Sequence, residues 1–121
     1  MDDLKSPNEK QLIENLMKGD IEAFDQLFRL YHQSLYYFAV SILKSSEDAR
    51  DNLQEVFFRV WKKRRSINQE CSFKSFLFTI SYHIIVDTLR KRISEQHFKD
   101  QLIKDAIPNE SPIDREMEYK E

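Results

Sequence analysis

The chain has 121 residues, 40% of them hydrophobic and 12% aromatic, enough for one domain with a real core and too few for two. No apolar run approaches the roughly 20 residues of a membrane span and no leader pattern opens the chain, so the sequence points to a cytoplasmic protein without membrane insertion. The formal charge of −2 conceals a segregation: residues 1–22 carry net −3, residues 23–92 net +5 and residues 93–121 net −4. A basic body between acidic ends suits nucleic acid or an acidic protein, although a plain solvated surface has the same composition.

Gly19 is the sole glycine and the prolines stand at 7, 108 and 112, so residues 8–107 run without a proline and without an Asn-Gly or Asp-Gly turn. Hairpins need such punctuation, which makes the expected fold all-α: a compact bundle of about four helices with a flexible acidic C-terminal linker. Residues 1–7 read as a disordered start, 8–107 as the helical domain and 108–121 as the linker. The first helix is predicted from about Asn8 to Lys18, with Leu12, Ile13, Leu16 and Met17 on one face. Gly19 suits a helix end and Asp20 the N-cap of the next helix, which spans about Ile21 to Leu43. Its stripe is Phe24, Leu27, Phe28, Tyr31, Leu35, Phe38, Ala39 and Ile42. Ser46 is the predicted cap of a third helix that runs to about Arg65. Ser66 to Cys71 forms a loop, Ser72 caps a fourth helix to about Arg92, and Ile93 to Ile107 is partly helical.

The third helix has two faces. Leu53, Val56, Phe57, Val60 and Trp61 make a core stripe, while Asp51, Gln54, Glu55, Phe58 and Lys62 make a second, offset stripe. That second stripe sets a large aromatic among carboxylates and amides, a common arrangement for a protein-binding hot spot. Phe58 packed under another helix is the competing reading, and the pattern alone does not separate the two. The basic run Arg59, Lys62, Lys63, Arg64 and Arg65 complements the helix dipole, which is the plainer account of it.

On the fourth helix Phe73, Phe76, Leu77, Ile80, Ile84 and Leu89 form the core stripe. Lys74, Phe78, Tyr82 and the cluster Arg90, Lys91 and Arg92 lie largely elsewhere. Cations contact phosphates and exposed rings stack on unpaired bases. The loop residues Asn68, Gln69, Glu70, Cys71 and Ser72 add groups able to hydrogen-bond base edges. A capped helix joint has the same composition.

No catalytic constellation appears. His32, His83 and His97 share no metal-ligand spacing with each other or with Cys71, and no glycine-rich phosphate loop is present. Cys71 has no activating base nearby in sequence. The chain therefore reads as a binding protein with no enzyme activity, no metal and no cofactor.

Four blocks occur in order across residues 9–92. They are Gly19-Asp20-x-x-Ala23-Phe24; Asp48-Ala49-x-Asp51-x-x-Gln54-Glu55-Val56-Phe57; Phe73-Lys74-x-Phe76-Leu77-Phe78-Thr79-Ile80; and Asp87-x-Leu89-Arg90-Lys91-Arg92. Together they resemble region 2 of bacterial RNA polymerase sigma factors, in particular the extracytoplasmic-function (ECF) group. The resemblance implies that the Asp51–Arg64 helix docks on the clamp coiled coil of the largest polymerase subunit. Gln54 and Glu55 match the family's most recurrent contact pair, beside Asp51, Phe58 and Lys62. It implies that the loop Asn68–Ser72 captures a flipped nontemplate base of the promoter −10 element. The fourth helix, through Lys74, Phe78, Tyr82, Arg90 and Lys91, would melt and hold that strand. An anti-sigma factor is a further implied partner. Ser81-Tyr82-His83 and Thr88 depart from the Ala-Arg-Asn and Tyr of many relatives. Such factors continue into a region 4 domain that reads the −35 element, so residues 108–121 are expected to lead toward an absent region 4. The rival expectation is a helical adaptor that uses the Phe58 face without DNA.

Overall fold

A computed structural model describes the backbone of residues 2–107 and the side chains of residues 8–107. The elements are α1 (Asp2–Met17), α2 (Ile21–Leu43), α3 (Ser46–Lys62), a 3₁₀ turn (Arg64–Ser66) and α4 (Phe73–Ala106). Among the described residues all regular structure is helical, as the punctuation-free sequence requires. The backbone divides into two units, with the boundary between Thr88 and Leu89.

Local chemistry sets the joints. Gly19 adopts φ +95, a conformation that L side chains rarely take, and so turns the chain out of α1. Asp20 then caps α2, its carboxylate accepting from the Glu22 N–H at 2.9 Å. At the far end of α2, Lys44 closes the helix in the left-handed region (φ 57), its N–H donating to the Val40 carbonyl at 2.8 Å. The cap of α3 is Ser45, not Ser46: the Ser45 hydroxyl accepts from the Asp48 N–H at 3.1 Å. Both serines suit a cap, and the left-handed Lys44 places the first extended residue at 45. Glu47 and Asp48 open α3 and Arg59 and Lys62 close it, in the order that the helix dipole favours. Ser72 caps α4 as expected, accepting from the Ser75 N–H at 3.1 Å.

Two helices exceed their predicted lengths. α1 is helical from Asp2 rather than Asn8. α4 passes the basic cluster at 90–92 and reaches Ala106, because no glycine or proline stands there to stop it. Met1 and the expected linker 108–121 lie outside the described residues.

The first unit holds the core. Leu16 of α1, Leu27 and Leu35 of α2, Val56 and Val60 of α3 and Leu77 of α4 are completely buried. Phe24 and Phe28 of α2 meet Phe57 edge-on at 5.9 and 5.0 Å between ring centroids, and Phe24 meets Trp61 at 5.3 Å. Such pairs each contribute about 0.5–1.5 kcal/mol beyond area burial, so α2 and α3 form a stiff pair. Across α1 and α2 the Tyr31 hydroxyl donates to Glu9 Oε1 at 2.7 Å. Burial first, then this bond and the nearby charge, push the Tyr31 phenol above its usual range. In the second unit the helix exposes Ile93, Phe98, Leu102 and Ile103.

Candidate nucleic-acid and protein interface

The outer face of α3 is presented by the aromatic packing behind it. With Val56, Phe57 and Val60 turned into the core, helical geometry turns Asp51, Gln54, Phe58 and Lys62 to solvent and leaves Glu55 half-exposed. Phe58 is 56% exposed, so among the described residues no helix packs over this ring. The Lys62 ammonium lies 5.2 Å from the Phe58 centroid. Glu55 accepts from Arg59 Nε at 2.9 Å, one turn on. An exposed pair of this kind contributes only about 0–1 kcal/mol, so the Glu55 carboxylate can be re-paired at little expense.

The basic run divides. Arg59 is bound to Glu55, and Arg64 folds back, donating Nη1 to the Trp61 carbonyl at 3.0 Å with its guanidinium 4.2 Å from the Trp61 ring centroid. Arg64 also fills the space beside Gly19, where a Cβ would meet its Nε at 3.7 Å. Lys62, Lys63 and Arg65 remain exposed.

The loop between the 3₁₀ turn and α4 is anchored by Ile67, which is buried, while Asn68, Gln69, Glu70, Cys71 and Ser72 are all exposed. Its shape comes from its own polar groups. Asn68 Oδ1 accepts from the Glu70 N–H at 2.9 Å, and the Asn68 carbonyl accepts from the Cys71 N–H at 3.1 Å. Gln69 Nε2 donates to Met17 Sδ at 3.3 Å, a weak tether to α1. The Ser72 oxygen accepts as the α4 cap while its O–H can still donate, and the loop also exposes the Asn68 amide nitrogen, the Gln69 carbonyl oxygen, the Glu70 carboxylate and the Cys71 thiol.

Along α4, Lys74 and Tyr82 are exposed, the Lys74 ammonium lying 5.9 Å from the Phe78 centroid. Phe78 is not the free-standing ring that the spacing suggests. It is half-buried, edge-on to Phe38 of α2 at 5.2 Å, because α2 runs close enough to take it into the edge of the core. The first unit thus gathers the α3 stripe, the loop and the first turns of α4. Arg90 and Lys91 are exposed in the second unit.

Sequence reasoning missed Asn52 and Ser81. Both are buried, at 3% and 0% exposure, and they bond to each other between α3 and α4. The signal was present: each polar residue sits at a core-facing position, Asn52 four before Val56 and Ser81 four after Leu77. Among the described residues no group of three or more His, Cys, Asp or Glu is placed to hold a metal, and no helix is long and apolar enough to cross a membrane.

The sequence matches the Sigma-70 region 2 family over residues 27–94, more than half of the chain. It is 35% identical over 71 residues to the ECF RNA polymerase sigma factor SigX of Bacillus subtilis, covering 59% of this chain and 37% of that protein. It is 32% identical over 84 residues to SigM of Mycobacterium tuberculosis, 69% of this chain and 43% of the relative. To SigM of B. subtilis it is 30% identical over 99 residues, 80% and 60% respectively. The chain therefore spans between about a third and three fifths of the length of these relatives. In fold it is similar to an engineered region 2 of sigmaE solved in complex with GTAAAA, with a TM-score of 0.65 and 24% identity over 69% of this chain and 87% of that one. The profile match over the helices that carry both surfaces, with the ECF relatives behind it, settles the family: the chain belongs to the sigma-70 region 2 domains, in the ECF group.

Proposed function

We propose that this domain binds core RNA polymerase through the α3 stripe and captures the nontemplate strand of a promoter −10 element with the loop Asn68–Ser72 and the start of α4. The observation that carries this reading is the pairing, in one unit, of an uncovered aromatic among acids and amides with a pre-shaped polar loop beside cations. Phe58 supplies apolar area for the clamp coiled coil, while Asp51, Gln54, Glu55 and Lys62 give it polar register. Glu55 exchanges its weak bond to Arg59 for a partner cation.

Extruding a base from a duplex costs a few kcal/mol, so the receiving loop works best when no further ordering is required. The Asn68 turn and the Ser72 cap meet that need. Asn68, Gln69 and Glu70 then read the base edge, Cys71 and Ser72 line its approach, and Tyr82 and the exposed edge of Phe78 offer ring surface to neighbouring bases. In the first unit Lys74 contacts phosphates and Lys62, Lys63 and Arg65 add positive charge; in the second unit Arg90 and Lys91 also contact phosphates. The domain acts as an initiation factor in the cytoplasm and carries out no catalysis of its own. An anti-sigma factor covering the α3 stripe and the loop keeps the protein inactive.

The test is to mix the chain with core polymerase and a −10 fork-junction DNA. A stable ternary complex that weakens steeply as salt rises is expected. A chain that binds neither component would refute the reading.

A further inference from the structure

α4 buries Phe73, Leu77, Ile80, Ile84 and Ile85, a stripe of smooth apolar side chains. Apolar contact is non-directional, so such a stripe favours burial without fixing how far a helix is turned or slid. Within it sits one buried polar connection. The Ser81 hydroxyl donates to Asn52 Oδ1 at 2.8 Å, and Asn52 Nδ2 donates to the Ser81 backbone carbonyl at 3.3 Å. The second bond uses the lone pair that the helical ladder of α4 leaves over. The pair is reciprocal and inaccessible to water, and any turn or slide of α4 would leave buried donors and acceptors without partners.

The positions of these two residues give the connection a consequence at the surface. Asn52 follows Asp51 and lies two residues before Gln54, on the helix whose outer stripe faces the polymerase in the reading above. Ser81 precedes Tyr82 and lies one turn from Phe78, two residues assigned to the strand, while its own side chain faces α3. From this geometry we infer that Asn52 and Ser81 are a positioning pair for promoter capture, setting the register of the strand-facing side of α4 against the polymerase-docking helix. Neither residue touches polymerase or DNA. A buried polar contact of this kind confers register at the expense of stability, and an apolar replacement of similar volume is often neutral or stabilising.

The inference rests on the proposed function, and the experiment separates the two. The double variant Asn52→Leu with Ser81→Ala is compared with the unsubstituted chain in three measurements: melting temperature, affinity for core polymerase, and affinity of the polymerase-bound chain for −10 fork-junction DNA. A melting temperature equal to or above that of the parent is expected, with polymerase affinity within about twofold and fork-junction affinity reduced by about tenfold or more. Equal fork-junction affinity in the folded double variant would overturn the positioning role and leave the proposed function standing. If the parent chain binds no polymerase, the proposed function falls and the positioning role falls with it. Should the double variant fail to fold, Ser81→Ala alone decides: it retains the Asn52 bond to the backbone carbonyl, and about a threefold loss of fork-junction affinity at unchanged polymerase affinity is expected. No change in that ratio would likewise overturn the inference.

Discussion

The outer stripe of α3 and the loop Asn68–Ser72 are built by opposite means. On α3 the backbone bonds are satisfied within the helix, and the shape is held from behind by Phe24, Phe28, Phe57 and Trp61. The outward side chains of α3 are held only by weak exposed contacts, the Glu55–Arg59 pair and Lys62 over Phe58. In the loop, Asn68 and Ser72 hold the backbone in place, so part of the polar surface is structural and only part can recognise anything. A substitution on α3 should therefore report on binding alone, whereas one in the loop reports on binding, on shape, or on both.

The largest expected effect tests the α3 side. Glu55→Lys reverses charge on the stripe and sets a second cation one turn from Arg59. Loss of core-polymerase binding by about a hundredfold or more is expected, with stability within about 0.5 kcal/mol of the parent, as for an ordinary surface change. A large drop in melting temperature would break the comparison, because α3 would then be shaped by its outer face too.

Next in size are changes to the outward groups of the loop. Gln69→Ala and Glu70→Gln should shift the preferred −10 base by about 1–3 kcal/mol of discrimination, leaving polymerase affinity and melting temperature where they were. Fork-junction DNAs that differ at one nontemplate base provide the measurement. An unmoved preference would place base recognition elsewhere in the domain. Ser72→Ala sharpens the contrast from the structural side. Removal of the α4 cap should lower stability by about 1 kcal/mol and weaken fork-junction binding without altering which base is preferred.

The smallest effect is a stabilising one. Lys44 holds a left-handed conformation between α2 and α3 without being glycine, so Lys44→Gly should raise stability by about 0.5–1 kcal/mol. Neither polymerase nor DNA affinity should respond, since the joint carries no outward recognition group. Chemical denaturation with both binding assays checks this.

How much of this was legible in the sequence depended on how local the cause was. Gly19-Asp20 announced its joint because a glycine and a capping carboxylate each act within a few bonds. The α3 core stripe was equally plain, since five apolar residues at helical spacing leave one arrangement. Ser45 and Ser46 were harder: adjacent serines cap equally well, and the choice fell to Lys44, whose left-handed turn no local preference of lysine predicts. The exposure of Phe58 and the half-burial of Phe78 were beyond reach for a related reason. Each depends on which neighbouring helix arrives, a tertiary fact that periodicity does not encode. Arg64 looked like a free cation until Trp61 and Gly19 supplied a place for its side chain. Asn52 and Ser81 were legible in principle as polar residues inside apolar stripes. Only the packing of α3 against α4 shows that they answer each other.

Cys71 is the one cysteine in the chain, and it is exposed in the loop immediately before the cap of α4. A thiol-reactive fluorophore would therefore attach at a single point without any other residue being changed. It would sit on the segment assigned to strand capture, outside α3. Emission from such a label would follow the arrival of the flipped base in real time, and polymerase docking could be timed separately from it.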